Sequence, residues 1–423
     1  MTGTRTPSGS RVAPADAWYL FASDRHTDQL LVYGFAGCPA SVERAVDDVL
    51  ERARSCPELR LRVGQRHFNL GIPEWVPGDV DAGQIAVHVS DEFTWSGCLK
   101  ALGSLVEQQQ LDPREALWRL HVFVGVRGVP ANAGQPSTVI ILQVSHALGD
   151  GTRSAALAGF LLGRNAALPA LAAPPVRGRV PSVVQALRQR RQLDRDTVAG
   201  AVPPPPAPVP ALSINDPPRG APILRTFVRH RAQLPGPSAT VGALVAISEA
   251  LSGYLRERGE DTSTLTALVP MTKPGVPHAR NHSGPEYIRL HPEVTVREQR
   301  AHVIAGELEV CQRRRLHPAF LADEIALAAL PGPVLRWVAT RTKPPTVLAH
   351  SVVSSVNRGA ADLEFGGCPV VMTAGYPFLT SNIGLTHGIH GIGDMIAISV
   401  NTTESIIPDI DGYLDRLTAS LRP

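Results

Sequence analysis

Apolar and polar positions along this chain follow two rhythms, one of strands and one of helices. Residues 138–144, TVIILQV, form a β-rich apolar run too short for an ordinary helix and bounded upstream by Gly134 and Pro136, which predicts a buried strand. From Thr152 the pattern turns to Ala and Leu at helical spacing, with no proline before Pro169. Residues 118–126 alternate and are joined to the apolar run by a Gly/Pro/Asn loop over 127–137, so a long-looped hairpin is expected. The fold opens at 15–20, and 29–35, 59–63 and 85–89 read as further strands. Residues 40–54 place Val42, Ala45, Val46, Val49 and Leu50 on one face of a helix, and 96–109 suits a second. In the second half, strands are expected at 223–231, 265–270, 346–353, 370–373 and 396–401. Helices are expected there at 240–257, with Leu244, Ile247, Leu251 and Leu255 inward, at 294–315 and at 409–421. Strands and helices mixed throughout predict an α/β layered architecture with mixed sheets.

Between the buried strand and its helix lie Ser145, His146, Ala147, Leu148, Gly149, Asp150 and Gly151. Two glycines this close allow a sharp turn and a close backbone approach. A titratable group therefore sits at the end of an interior strand, where ligand crevices open in α/β folds. Imidazole, with an unperturbed pKa near ~6.5, can take a proton at neutral pH and return it within one turnover. Asp150, four residues on, either accepts a hydrogen bond from His146 or turns away to pair with a distant arginine. The plainer alternative is a core histidine beside a helix-capping aspartate.

H-x-x-x-D-G after a buried strand resembles the signature of acyltransferases built like chloramphenicol acetyltransferase, and of the condensation domains of nonribosomal peptide synthetases. The flanking residues are most similar to the bacterial wax ester synthase/diacylglycerol acyltransferase family. They include Pro14 and Asp16 followed by Trp18 and Tyr19, then Leu111-Asp112-Pro113 and Leu117-Trp118-Arg119-Leu120-His121. Farther on come 254–259, YLRERG, with 268–271, LVPM, then Val353-Ser354-Ser355-Val356, Gly384-Leu385 and Ile407-Pro408-Asp409. The resemblance implies two chloramphenicol acetyltransferase-like subdomains, a V-shaped pair with a central tunnel and the histidine at its centre. Residues 1–170 would be the first subdomain, 171–220 an Arg/Pro-rich linker and 221–423 the second. It further implies His146 as general base, Asp150 in a structural role paired with an arginine, and Gly151 letting the backbone pass closely. Asn281 would border the cavity. Two departures stand out. Ser145 replaces the first of the family's two histidines, and Ser354-Ser355-Val356-Asn357-Arg358-Gly359 replaces its S-N-V-P-G-P stretch. Ser145, Asn281, Ser354 and Ser355 are thus candidates for lining the site.

At 423 residues the chain is long enough for two domains, and 43% hydrophobic with 19% charged residues fits a globular protein. A formal charge of +3 leaves no broad nucleic-acid footprint. Residues 171–220 hold Arg177, Arg179, Arg188, Arg190, Arg191 and Arg195, then a proline run beginning at Pro203 that predicts a semi-rigid spacer. The arginines either meet the phosphates of coenzyme A, an acidic carrier protein or an anionic membrane, or belong to a solvated linker helix, which we favour. The five cysteines are scattered without C-x-x-C pairs or zinc spacing, as expected of free thiols in a reducing compartment. His387 and His390 form an isolated H-x-x-H in what reads as a glycine-rich turn, with no third ligand, so no metal is expected. Residues 1–11 read as a disordered tail. No signal-peptide core and no run of ~20 apolar residues occurs, which suggests a cytoplasmic protein with at most peripheral membrane contact. P-loop, G-x-S-x-G and dinucleotide patterns are absent.

The chemistry expected is transfer of an acyl group from a pantetheine thioester, acyl-CoA or a loaded acyl carrier protein, to a small-molecule alcohol. It needs no bound cofactor and no covalent acyl-enzyme. One rival keeps the fold but performs carrier-protein-dependent condensation or cyclisation. Another is a binding scaffold that has lost catalysis, against which His146, Asp150 and Gly151 together argue.

Overall fold

The protein, as a computed structural model, is described over residues 10–21, 28–64, 71–89, 93–173, 179–340 and 346–422. Two six-stranded sheets form its framework. The first runs, in spatial order, Glu364–Phe365, Cys368–Gly375, Asp28–Ala36, Ser137–Ser145, Trp118–Val126 and Ile85–Val89. Its neighbours are antiparallel except the last pair. The second runs Ser283–Arg289, Thr266–Thr272, Ser351–Asn357, Thr386–Ile392, Met395–Thr403 and Pro222–His230, with Ser351–Asn357 parallel to both neighbours.

The strand Ser137–Ser145 is buried at every position. It lies between two paired strands and has helices over its face, so apolar residues fill most of both sides, as its largely apolar run predicted. The hairpin with Trp118–Val126 is present, antiparallel from Trp118 opposite Val144. The helix Val42–Ser55 is capped by Ser41, whose hydroxyl accepts from the Arg44 N–H at 3.2 Å, and buries Ala45, Val49, Leu50 and Ala53. In the second half, Ala239–Glu257 turns Leu244, Ile247, Leu251 and Leu255 inward as expected.

Several sequence expectations are corrected. Ser10–Arg11, placed in a tail, form a short strand on Glu74–Pro77; residues 1–9 lie outside the described residues. The strand expected at 346–353 runs instead over Ser351–Asn357, because its parallel partner Thr386–Ile392 begins opposite Val352. His387 and His390 lie on that partner strand, not in a turn. The basic segment carries the expected helix, Arg179–Val198, with Arg188, Arg190, Arg191 and Arg195 exposed; its other face is packed, with Ser182, Ala186 and Leu193 buried, and Arg190 pairs with Asp323 of the helix Pro318–Ala328. Residues 174–178 lie outside the described residues. The Glu364–Phe365 and Cys368–Gly375 strands leave the second half and extend the first sheet beside Asp28–Ala36, so residues 221–423 serve both sheets. Among the described residues no single helix is long and apolar enough to cross a membrane; Pro318–Ala328 and Gly332–Thr340 reach that size only together, across a 120° bend.

Candidate active site

His146 opens a 3-10 turn, His146–Leu148, directly after the buried strand, and the helix Gly151–Leu161 follows with Asp150 as its N-cap. Gln29 fixes the turn by donating to the Gly149 carbonyl at 2.5 Å and to the Ser154 hydroxyl at 3.1 Å. The His146 ring is half-buried and lines a cavity of about 520 Å³ whose walls come from both sheets. A strained loop is not required to place it. The end of a rigid, fully buried strand does so.

The ring is held from three sides. Its Nδ1 lies 2.9 Å from Asn281 Oδ1. The Asn281 amide nitrogen donates to Asp16 Oδ1 at 2.9 Å and to the His146 carbonyl at 2.8 Å. Both partners are acceptors, so the amide oxygen must be the atom facing the imidazole. An oxygen there accepts, which puts the ring proton on Nδ1 and leaves the Nε2 lone pair without a protein partner among the described residues. Tyr19 stacks on the ring, centroids 3.9 Å apart and planes 5° from parallel, which fixes its tilt. Burial holds the His146 pKa below the ordinary imidazole value, opposed by the Asn281 hydrogen bond and the charge of Asp150. The neutral, proton-accepting form therefore prevails at neutral pH.

Asp16 anchors this arrangement. It is fully buried in the helix Pro14–Phe21 and accepts from the backbone N–H groups of Arg280 at 3.1 Å and Asn281 at 2.8 Å, besides the Asn281 side chain. Burial raises its pKa, and those three donors oppose the rise.

Among the described residues Asp150 neither meets His146 nor pairs with an arginine, which corrects those two alternatives, and it is instead the helix-capping aspartate of the plainer one. One oxygen caps its helix by accepting from the Arg153 N–H at 3.1 Å; the other accepts from the His282 N–H at 2.9 Å, tying the turn to the second half. Arg153 instead pairs with Glu58. Gly151 lies where a methyl group would come within 2.9 Å of Val356 Cγ2, so its lack of a side chain lets the two halves close on each other.

Of the candidate lining residues, Ser354 and Ser355 are on the cavity wall, the Ser355 hydroxyl bonded to that of Thr240 at 2.7 Å. Asn281 stands behind the imidazole, and Ser145 is buried at the strand end; neither is on the wall. His387 and His390 sit three apart on one strand and so face opposite sides of the sheet, which prevents them from sharing a metal ion. Sequence reasoning missed the roles of Asp16 and Tyr19. A carboxylate at the start of a short apolar helix was the available signal, but it reads equally as a favourable charge on the helix dipole.

Residues 312–423 match the family described as the WS/DGAT C-terminal domain. Over 87% of the chain and 80% of its own length, a Mycobacterium tuberculosis protein that carries a provisional diacylglycerol O-acyltransferase name is 23% identical. Among solved structures, a wax ester synthase/diacylglycerol acyltransferase from Marinobacter aquaeolei VT8 is similar in fold. Its TM-score is 0.62 at 16% identity, covering 97% of this chain and 98% of that one. A starter condensation domain of rhizomide synthetase, in complex with C8-CoA and Leu-SNAC, gives 0.60 at 12% identity, covering 98% and 93%. The fold is therefore the one these solved structures share, and the similarity to the WS/DGAT C-terminal domain lies in residues 312–423.

Proposed function

We propose that this protein is an acyltransferase of the WS/DGAT type, moving an acyl group from a pantetheine thioester to a hydroxyl, with His146 as general base. The observation that carries the reading is the His146 ring on the cavity wall, whose Nε2 meets no protein partner among the described residues while Nδ1 is fixed behind it by Asn281.

In the forward step Nε2 takes the acceptor's hydroxyl proton as that oxygen attacks the thioester carbonyl carbon. Collapse of the tetrahedral adduct breaks the C–S bond, and the imidazolium returns the proton to the departing thiolate. Ester and free thiol result, with no covalent acyl-enzyme. Positive charge that appears on the ring is delocalised onto Nδ1–H, where the hydrogen bond to Asn281 strengthens and is backed by the Asp16 carboxyl. A base positioned in this way contributes roughly 10²–10⁴-fold. Asp150 and Gly151 act through the turn: the first pins it to the second half, and the second admits Val356 against it.

The donor is acyl-CoA or a loaded carrier protein, and a rhizomide synthetase condensation domain of similar fold was solved with C8-CoA bound. We place the enzyme in the cytoplasm with at most peripheral membrane contact, and take residues 1–170, 171–220 and 221–423 as its first lobe, connecting segment and second lobe, the last lending the strands Glu364–Phe365 and Cys368–Gly375 to the first sheet. Turnover of a panel of acyl-CoAs and acyl carrier proteins with a panel of alcohols, read by mass spectrometry, tests the function. Ester formed with one donor class supports it and identifies the donor. Amide or cyclised product alone would move the protein to the condensation reading, and no product from any pair would overturn transfer.

A further inference from the structure

We propose that the cavity contains a carboxylate-binding subsite at Arg358 and His390, so that one of the two substrates carries a carboxylate besides its reacting group. The identity of the carrier rests on the transferase reading; the anion site does not.

Arg358 follows the strand Ser351–Asn357 and continues its ladder, its N–H donating to the Gly391 carbonyl at 2.8 Å. Its side chain crosses to the first sheet. There Nη1 donates to the Ala374 carbonyl at 2.9 Å, to the Val32 carbonyl at 3.4 Å, and to the Thr373 hydroxyl. The Tyr33 ring lies 5.2 Å from the guanidinium carbon. All of these partners are neutral; burial raises the Tyr33 phenol, so no phenolate balances the charge. Arg358 is only 5% exposed, and among the described residues no carboxylate pairs with it. A buried guanidinium without a counter-ion is costly and stays charged, because arginine does not give up its proton in proteins.

The guanidinium borders a ligand space. Arg358 and His390 both line the cavity that contains His146. Nε has no hydrogen-bond partner and is itself covered, and beyond the neutral Tyr33 hydroxyl and the acceptors of Nη1 no further protein acceptor meets the group among the described residues. Nε and Nη2 form the edge of the guanidinium that presents two parallel N–H groups, the fork that fits a carboxylate. His390, also 5% exposed, turns its Nε2 toward the Arg358 side of Gly375 and leaves a covered, unpartnered Nδ1 against Gly388. Burial, then the charge of Arg358, hold His390 far below the usual imidazole range, so it is neutral and adds one N–H rather than a second charge. Gly375 keeps the edge open: a methyl there would stand 2.8 Å from Arg358 Nη2 and 2.8 Å from His390 Cε1. The cation arises within 354–359, where the chain departs from the S-N-V-P-G-P pattern.

The test uses the full chain and two matched pairs. On the donor side, glutaryl-CoA is compared with pentanoyl-CoA; on the acceptor side, an ω-hydroxy fatty acid is compared with its methyl ester. Calorimetric binding of a free dicarboxylate and its diester is measured alongside. One pair should favour the carboxylate by about ten- to a hundredfold in kcat/KM, the size of a charge-assisted hydrogen bond. Arg358→Met, and Gly375→Ala, which blocks the fork while keeping the charge, should each bring that ratio close to one; melting curves establish that both variants fold. Equal or reversed preference in both pairs, or a preference that survives both substitutions, overturns the subsite. If no pair turns over, the transferase reading fails, and selective dicarboxylate binding lost in both variants still upholds the anion site, whereas its absence removes it.

Discussion

Two histidines in this molecule are built almost alike and differ at one atom. His146 gives its Nδ1 proton to Asn281 Oδ1 at 2.9 Å, and His387 pairs its Nδ1 with the Ser351 hydroxyl at 3.0 Å, whose own proton goes to the Leu385 carbonyl at 2.9 Å. The second nitrogen separates them. On His387 it accepts from the Tyr413 hydroxyl at 2.7 Å inside the second core, with the residue wholly buried. On His146 it has no protein partner among the described residues, and its ring lines the cavity between the two sheets. An imidazole with both nitrogens satisfied is a strut; one with a fixed proton on the far side and a bare lone pair on the near side is a base. Burial lowers the pKa of both, so a perturbed pKa alone would not have told them apart.

The most direct way to break the comparison is His146→Ala. Turnover should fall by about 10²–10⁴-fold while the melting temperature stays close to that of the parent, because the half-buried ring fills no core. Near-normal turnover in a folded variant would remove the general-base role. Asn281→Ala comes next, with an expected loss of about ten- to a hundredfold in kcat, the worth of a hydrogen bond to a group that becomes charged. Its pH profile is the sharper readout. Wild-type kcat/KM should be present at neutral pH and decline as pH falls through a value below the ordinary 6.5 of imidazole, since burial depresses His146. The Asn281 hydrogen bond raises that pKa, so removing it should move the acid limb to still lower pH. A limb that stays in place would mean Asn281 is only packing.

The strand, turn and helix around His146 were legible because each is written in consecutive residues: an apolar run, two glycines, then helical spacing. What completes the site was not. Asn281 is 135 positions from His146 and 265 from Asp16, and no periodicity connects them. The resemblance brought Asn281 into view as a lining residue, yet it stands behind the ring. Asp150 shows the same limit from the other side. Its spacing from His146 was readable, but both partners of its carboxylate are backbone N–H groups, which carry no signature in the sequence. The strand register at 351–357 was misplaced because serines on a half-exposed strand dilute the apolar pattern that marks its edges. The crossing of 368–375 into the first sheet is likewise a long-range pairing that local pattern does not encode.

A smaller effect is expected at Tyr19, whose stacked ring touches only the plane of the imidazole. Burial pushes its phenol up to about 12, so it contributes as a neutral aromatic face. Tyr19→Phe should be nearly silent, and Tyr19→Leu should lower kcat roughly two- to tenfold, matching the ~0.5–1.5 kcal/mol of a ring pair. Equal losses in both would transfer the role from the ring to the hydroxyl.

The smallest effect on activity, and the cleanest check on the other histidine, belongs to His387→Leu. Activity per folded molecule should be unchanged, because the ring lies among Ser351 and Tyr413 in the second core rather than on the cavity wall. Stability should fall by about 1–3 kcal/mol at neutral pH, since the Tyr413 hydroxyl loses its acceptor in a buried site. The sign of the pH dependence follows from the depressed pKa, about 3 in the folded protein against 6.5 ordinarily. Below 6.5 the unfolded chain takes up a proton that the folded one refuses, so stability present above that pH is lost progressively toward 3, by at most ~1.4 kcal/mol per pH unit. Leucine carries no such proton. The stability gap between parent and variant should therefore narrow as chemical denaturation is repeated from pH 7 down to pH 5. A gap that stays constant would show that His387 is protonated in the fold, and the contrast between strut and base would lose its electrostatic half.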